Sequence, residues 1–554
     1  MNASFPFRRS HECFLCGNDA ARVVKHCETQ EGDYYMAAES SEVKMVPTLG
    51  LTGVTINAMA LIAPGAFLWT TYQLQAPAAS AMNMWFSVFI ATAIALLTAI
   101  AYAALARRYP EAGAGSSYYF AEAAILHKEE HRHFRFARLA KFIVGWASHL
   151  YYWVYPGIMV AFMGLVVTYI IQTFNPDFGA PWQEVIVCIV FAALVGGIAY
   201  IGVSGATVAN IIINVIQILS LVIFSVLAIA YRTSHPNVHY LHPSALSVLA
   251  PHDFSGLVFQ VSIAILLVVG FESATALAAE TKNPGRDIPR GVILSLIIQA
   301  VIFYFFEYFA ANFFINSGYT TGSGKTLLTG FDAAFGSGAP IGDMAKIIGD
   351  AMLGGNGTAF AVILAATVVI ALVGTSLSCL NTGVRVTYAM GKDTELPTVF
   401  GFLHGRFRTP HVGVIVLTII SAVLGSYGVL SIDHLTQITL ISNIGTFVLY
   451  GMTCIVCVVA FAGVVGRNVF GTLVAPILGA VLNIGMLLAV LYYAIVAGGT
   501  TQVDTIIAGV FSLAWLVAGF AYLYIRQAVT GIRVLHPEDH KEKNNIPVGA
   551  GGGR

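Results

Sequence analysis

Twelve long apolar runs, separated by shorter polar segments, dominate the chain. They cover residues 49–72, 84–105, 142–171, 185–201, 208–230, 256–279, 292–314, 359–388, 412–429, 435–460, 471–496 and 506–525. A helix needs about 20 apolar residues to cross ~30 Å of hydrocarbon, and these runs have that length. Barrel strands would instead be short and alternate between apolar and polar residues. The pattern predicts an all-α integral membrane protein with twelve transmembrane helices, called spans 1 to 12 here.

The composition agrees with this pattern and excludes several classes of protein. Only 10% of the 554 residues are charged and 57% are hydrophobic, so a soluble surface of this size could not be covered. The formal net charge is zero, which gives no broad field to attract the phosphates of nucleic acid. We therefore expect no nucleic-acid partner, and a lipid bilayer as the surrounding medium.

The positions of the basic residues predict the orientation. With the N-terminus inside, all but three of the 28 lysines and arginines fall in inner segments, and the exceptions are Arg232, Lys325 and Lys346. Inner loops of membrane proteins carry such an excess. Both termini are therefore predicted to be cytoplasmic.

The spans suggest a division of the chain into five parts. Residues 1–48 form a cytoplasmic tail, 49–230 hold spans 1 to 5, 256–460 hold spans 6 to 10, 471–525 hold spans 11 and 12, and 526–554 form a second tail. The first tail contains Cys13, Cys16 and Cys27 beside two histidines, a pattern found in zinc knuckles. The alternatives are a flexible tail or a start codon assigned too far upstream. Outside these tails, the longest polar stretch runs from Ile315 to about Thr358 and is interpreted as an outer loop, in which the segment Gly322-Ser-Gly-Lys-Thr326 is flexible.

Two spans carry residues that interrupt a helix. Span 1 contains Ala63-Pro64-Gly65-Ala66, and span 6 contains Leu266-Leu-Val-Val269-Gly270-Phe271-Glu272. A proline kink and a packing glycine would be the structural alternative. However, the two spans occupy the same place in consecutive sets of five helices, and an odd number of helices inverts the second set. Broken helices at matching positions of an inverted repeat indicate a transport site.

These breaks suggest how an amino acid could bind. A half-helix that starts near Gly65 would offer free N–H groups and a positive dipole end to a carboxylate. Carbonyls near Ala60–Ala63 and Leu266–Val269 would accept from an ammonium group. The predicted substrate-binding residues are Ala63, Pro64, Gly65, Ala66, Leu266, Val269, Gly270 and Phe271.

Four further segments carry recognisable motifs. They are Gly270-Phe271-Glu272-Ser273 through Arg290, Arg108 through Tyr118, Arg385 through Pro397, and Ser442-Asn443-Ile-Gly-Thr446. Together these segments resemble the amino acid–polyamine–organocation permeases. The likeness runs in matching order from about Gly50 to Arg526. It implies a five-plus-five inverted repeat with two extra C-terminal helices. Some members of the family have a gating aromatic residue in span 6 near Leu266, and its absence here suggests an uncluttered apolar pocket.

The sequence also departs from the family pattern in ways that bear on the driving ion. Some proton-coupled members carry a lysine in span 5, but this chain has Asn210 and Asn214 there and no lysine. Thr375, Ser376 and Ser378 in span 8 could supply oxygen ligands to sodium, although such hydroxyls more often bond to their own helix.

Glu272 is the candidate for proton linkage. A carboxyl in a span is costly unless it is paired, protonated or facing water. Beside unpaired carbonyls it should favour its neutral form. Glu307 in span 7 is a weaker candidate.

We expect a secondary active transporter that carries an amino acid across a plasma membrane, the bacterial inner membrane, with H⁺ or Na⁺ as the coupling ion. A polyamine or amine transporter, or an exchanger of the same family, is the alternative. No enzymatic motif, cofactor or catalytic metal is expected.

Overall fold

The computed structural model describes residues 47–62, 64–77, 80–126, 134–202, 206–322, 327–393, 395–496 and 498–531. The proposed zinc knuckle at Cys13, Cys16 and Cys27 lies outside these residues, and so does Ala63 at the predicted break of span 1.

Twelve spans long and apolar enough to cross a membrane are present in this part of the chain, as predicted. Their α-helices are Leu51–Ile62 and Pro64–Gln75 (span 1), Met84–Arg108, Phe134–Phe174, Pro181–Ile201, Ala206–Ser234, Phe254–Val268 (span 6), Pro284–Ile297 and Phe305–Phe314 (span 7), Gly357–Lys392, His411–Val429, Ile432–Phe461, Ala475–Val496 and Gly499–Thr530 (span 12). Span 6 continues as a 3-10 helix over Phe271–Glu280. Short π-helical segments occur at Ile298–Tyr304 in span 7 and at Phe470–Val474 before span 11.

Small residues let the inner spans approach closely. Span 3 packs against spans 8, 9 and 10. A Cβ placed on Gly425 of span 9 would lie 2.3 Å from Val160 Cγ1 of span 3, and one on Gly157 would lie 2.6 Å from Leu424 Cβ. In a bilayer, where apolar burial gives helices little reason to associate, such close backbone packing supplies much of the attraction.

Burial separates central spans from peripheral ones. Within its most apolar 18 residues, span 6 is 83% buried, whereas span 12 is 22% buried. An apolar helix with most of its surface exposed requires lipid around it. Span 6, with its interruption, therefore lies at the centre of the bundle.

The connection between spans 7 and 8 is more ordered than expected. Helices Gly330–Gly336 and Pro340–Met352 occupy it, preceded by an antiparallel pair of strands, β1 (Thr320–Thr321) and β2 (Leu328–Thr329). These helices were not predicted from the sequence, and the second one buries one face through Ile341, Met344 and Ile348. Most of the segment from Gly322 to Thr326, which was interpreted as flexible, lies outside the described residues.

The remaining short helices lie between other spans. They are 3-10 helices at Ala81–Asn83, Pro110–Gly115 and Thr398–Gly401 and α-helices at Ser117–Leu126 and Ala245–Leu249.

Candidate functional site

Span 6 is broken in the middle of the bundle. Its α-helix ends at Val268, Val269 is extended, and Gly270 adopts a φ of +118°. Residues that carry a side chain rarely adopt this backbone conformation, so a glycine is required at this position. In a continuous helix the N–H of Gly270 would donate to the carbonyl of Leu266, but here it donates to Glu272 Oε2 at 2.9 Å. The predicted interruption at Gly270 is present.

Glu272 is fully buried and accepts three hydrogen bonds. Besides the Gly270 N–H, Tyr152 Oη donates to Oε1 at 3.0 Å and Tyr450 Oη donates to Oε2 at 2.7 Å. The expected surroundings of unpaired carbonyls were wrong, because the groups that face the carboxyl are donors from spans 3, 6 and 10. Donors to both oxygens suit an ionised carboxylate in this conformation.

The first half of span 1 ends with carbonyls that side chains from other spans satisfy. Pro64 has no N–H, so it cannot donate to the carbonyl of Ala60 as a helix would require. Thr375 Oγ1 of span 8 donates to that carbonyl at 3.0 Å. Tyr304 Oη of span 7 donates to Ile62 O at 2.8 Å. The sequence predicts that these carbonyls accept from the ammonium group of a substrate. In the structure they accept from side chains of the protein.

The ends of the two interrupted spans touch. A Cβ on Gly270 would lie 2.3 Å from Leu61 Cδ2 and 3.3 Å from the backbone nitrogen of Ile62. Leu266, Val269 and Phe271 are fully buried in the same region.

The ring of Phe271 packs against two tyrosines. It meets Tyr102 edge-on at 5.8 Å between ring centroids, and Tyr450 at 5.3 Å. The side chains around the span 6 break are therefore mainly apolar and aromatic.

The second half of span 1 begins at Pro64, where a proline is well accommodated as the first helical residue. Pro64, Gly65 and Ala66 thus form the first turn of helix Pro64–Gln75, as the sequence predicted. The carboxylate role assigned to this turn stays a prediction.

Amide side chains of span 5 bond to span 1. Asn210 Nδ2 donates to Asn57 Oδ1 at 2.8 Å, and Asn214 Nδ2 contacts Ile56 O at 3.4 Å. Neutral amides therefore join these two spans.

The three candidate sodium ligands of span 8 do not converge. Helix Gly357–Lys392 is continuous, so Ser376 and Ser378, which are two positions apart, face nearly opposite sides. Thr375 Oγ1 bonds to Ala60 O and to Ala371 O. Ser376 is buried with no hydrogen-bond partner among the described residues, and Ser378 is partly exposed. One ion cannot contact all three side chains.

A buried charge cluster that the sequence reasoning missed lies at the end of spans 3 and 8. Lys141 Nζ, 2% exposed, lies 2.5 Å from Glu122 Oε2 and 2.6 Å from Asp393 Oδ2. Tyr118 Oη also donates to Asp393 Oδ2, at 3.0 Å. Burial raises the pKa of nearby Glu395 to about 7, against the attraction of Lys141. The sequence feature that could have predicted this cluster is a lysine at the edge of span 3, with acidic residues in two adjoining connections.

A second ion pair holds the end of span 6. Arg385 Nη2 of span 8 lies 2.7 Å from Glu280 Oε1, and Arg385 Nη1 donates to Ala276 O at 3.1 Å. Span 8 thus contacts span 1 through Thr375 and span 6 through Arg385.

No group of three or more histidine, cysteine, aspartate or glutamate side chains that could hold a metal occurs in the described part of the chain.

Twelve apolar spans in the described residues, with a broken one at their centre, define a multi-pass membrane transport protein. The model of the amino acid permease family matches residues 53–529. The chain belongs to that family, and its relatives are permeases of amino acids and related small molecules.

The relatives differ in what their names say they carry. The branched-chain amino acid permease BcaP of Bacillus subtilis is 23% identical over 76% of this chain and 83% of its own length. BcaP of Lactococcus lactis is 28% identical over 62% and 68%, respectively. The low-affinity putrescine importer PlaP of Escherichia coli is 24% identical over 74% and 80%.

Proposed function

We propose that this permease is a secondary active transporter that moves an amino acid with an aliphatic side chain by alternating access. The observation that carries this proposal is the break at Gly270, which lies among the buried side chains of Leu266, Val269 and Phe271. Such walls favour an apolar substrate side chain. The similarity to two branched-chain amino acid permeases supports the same choice.

In this proposal the first turn at Pro64, Gly65 and Ala66, with Ala63, binds the substrate carboxylate through backbone N–H groups. Gly65→Leu is expected to fill the approach to this turn and to abolish substrate binding in a folded protein. Unchanged affinity in that variant would place the carboxylate site elsewhere.

An amine such as putrescine is the second candidate, supported by the similarity to PlaP. A dication needs carboxylates, and Glu272 is the carboxyl beside the break. Three donors already bond to it. We therefore rank an amine below an aliphatic amino acid.

We propose that protons drive transport and that Glu272 is the linked group. Its donors come from three different spans, so a conformation that separates these spans would leave the carboxylate without partners and favour a proton there. Sodium at Thr375, Ser376 and Ser378 is the competing proposal, and it is weakened because these side chains point in different directions.

We also propose that the protein lies in a bacterial inner membrane with both termini in the cytoplasm and a five-plus-five inverted repeat. Reporter fusions after Ile315 and after Arg526 should then report opposite compartments. The same compartment for both would contradict the arrangement.

The deciding experiment is uptake into proteoliposomes of purified protein. Radiolabelled leucine, isoleucine, valine, arginine and putrescine would be supplied separately, with pH and sodium gradients imposed in turn. We expect the three aliphatic amino acids to be transported and the inward pH gradient to drive them. Uptake of putrescine or arginine alone would refute the aliphatic assignment, and uptake that follows only sodium would refute the proton mechanism.

A further inference from the structure

A groove lies between the ends of spans 2, 7, 10 and 11. Its volume is about 770 Å³. The distribution of basic residues assigns this end of the bundle to the cytoplasm. The groove lies apart from the break in span 6, and the transport proposal does not use it.

Three arginines line this groove. Arg107 and Arg108 end span 2, and Arg290 lies in the first turns of span 7. All three are exposed. The guanidinium of Arg108 lies 5.1 Å from the centre of the Phe461 ring at the end of span 10. Positive charge is therefore gathered on two sides of one cavity.

No carboxylate is present among the described residues that line the groove. Two basic residues elsewhere at this end do have acidic partners: Lys141 pairs with Asp393 and Arg385 pairs with Glu280. The arginine groove thus has an excess of charge that an anion from outside the protein could neutralise.

The rest of the lining is apolar. Ile100, Ile293 and Leu294 extend from the arginines towards the membrane interior, and Leu294 exposes 38% of its surface. A soluble anion would gain nothing from contact with this apolar surface, whereas an acyl chain would bury it. Charged and apolar surfaces next to each other at the membrane boundary match a phospholipid.

We propose that this groove binds an anionic phospholipid, with the headgroup phosphate between Arg107 and Arg290 and an acyl chain along Ile293 and Leu294. Arginine suits this role because its planar guanidinium can donate two parallel hydrogen bonds to a phosphate. Basic pockets between helices on the cytoplasmic side are a known form of lipid recognition. The proposal stands independently of the transported substrate.

The test measures lipid binding to the purified full-length protein by native mass spectrometry in detergent. Dioleoylphosphatidylglycerol is titrated against the wild type, with zwitterionic dioleoylphosphatidylcholine as the lipid control. The test variant is Arg107→Gln with Arg290→Gln. The matched variant is Arg406→Gln with Arg408→Gln, which removes the same charge from exposed residues of the loop after span 8.

We expect the wild type to bind phosphatidylglycerol more tightly than phosphatidylcholine. The test variant should weaken phosphatidylglycerol binding about 30-fold, since each arginine near an anionic lipid contributes roughly fivefold. The matched variant should leave the affinity unchanged. Because both test residues are exposed, an unchanged melting temperature will show that the variant is folded.

Three results would overturn the proposal. The first is equal binding of the two lipids by the wild type. The second is an equal loss of affinity in the two variants, which would indicate a diffuse charge effect. The third is displacement of the lipid by a large excess of inorganic phosphate, which would indicate a site for a soluble anion.

Discussion

Replacing Glu272 by glutamine tests the proposed coupling most directly. The variant keeps the size of the side chain but removes its charge and fixes a neutral form. In the structure the two carboxylate oxygens accept from Gly270 N, Tyr152 Oη and Tyr450 Oη at 2.9, 3.0 and 2.7 Å. A glutamine can accept through one oxygen only, and its NH₂ group would face a donor.

The size of the effect follows from these three bonds. Hydrogen bonds to a charged group contribute about 1.5–3 kcal/mol each and neutral ones about 0.5–1.5 kcal/mol. If Glu272 is ionised, the variant should lose about 3 kcal/mol of the stability of this conformation. If Glu272 is already protonated, the loss should be close to zero.

The assay compares two kinds of transport in proteoliposomes. Counterflow exchange of labelled substrate needs no net proton movement, so Glu272→Gln should retain it. Net uptake driven by an inward pH gradient should be lost. Glu307→Gln is the matched control, because Glu307 is also fully buried in a span but neither of its oxygens has a hydrogen-bond partner in the described structure.

A Glu272→Gln variant that keeps the full response to a pH gradient would refute the proton role. Loss of both exchange and net uptake would instead place Glu272 in substrate binding or in folding, and the melting temperature would separate those two. Equal losses in the two variants would show that any buried carboxyl in the bundle matters, not the three-donor site.

Three further predictions concern the break in span 6, the carbonyl at the break in span 1, and the buried charge cluster. Gly270→Ala should lower the free energy of unfolding by about 2 kcal/mol, because the residue has a φ of +118° and a Cβ there would contact Leu61. An unchanged melting temperature would contradict this prediction. Thr375→Val should lower the free energy of unfolding by about 1–3 kcal/mol, because the Ala60 carbonyl loses its donor. Thr375→Ser should restore that stability. A specific loss of sodium dependence in Thr375→Val would instead support a cation site. Because the pKa of Glu395 is about 7 in the folded protein against 4.5 as its ordinary value, this carboxyl should contribute a fall of about 3 kcal/mol in stability as pH rises from 4.5 to 7. Glu395→Gln should remove that slope in thermal unfolding, and an identical slope in both proteins would show that the carboxyl does not titrate there.

The fold was largely predictable because hydrocarbon imposes a simple rule on a chain. Each helix that crosses it needs about 20 apolar residues, and those runs are visible in the sequence without knowledge of packing. Helix Pro340–Met352 was not predicted because it lies between spans, where the sequence pattern of a helix is weaker than a long apolar run. Its apolar residues recur at Ile341, Met344 and Ile348 behind a proline at the first helical position, which is the pattern of an amphipathic helix.

The site was predictable only in part. Gly270 beside Glu272 was enough to locate the interruption of span 6, since both residue types are costly in a continuous membrane helix. The partners of Glu272 could not be predicted, because Tyr152 and Tyr450 lie 120 and 178 positions away in the sequence. Contacts between distant spans depend on the rotation of each helix about its axis, which an all-apolar run does not specify.

At their breaks, the two interrupted spans are bonded to different neighbouring spans, which bears on how the transporter moves. Span 1 is held at its break by Tyr304 of span 7 and Thr375 of span 8, through neutral bonds to carbonyls that contribute about 1 kcal/mol each. Span 6 is held at its break through Glu272 by spans 3 and 10. With Glu272 ionised, as proposed, separating those spans would leave its carboxylate without donors unless a proton bound. Movement of span 1 should therefore be inexpensive at any pH, whereas movement of span 6 should require protonation. The effect of pH on this movement would then arise in span 6, and the contact between Gly270 and Leu61 joins the two interrupted spans.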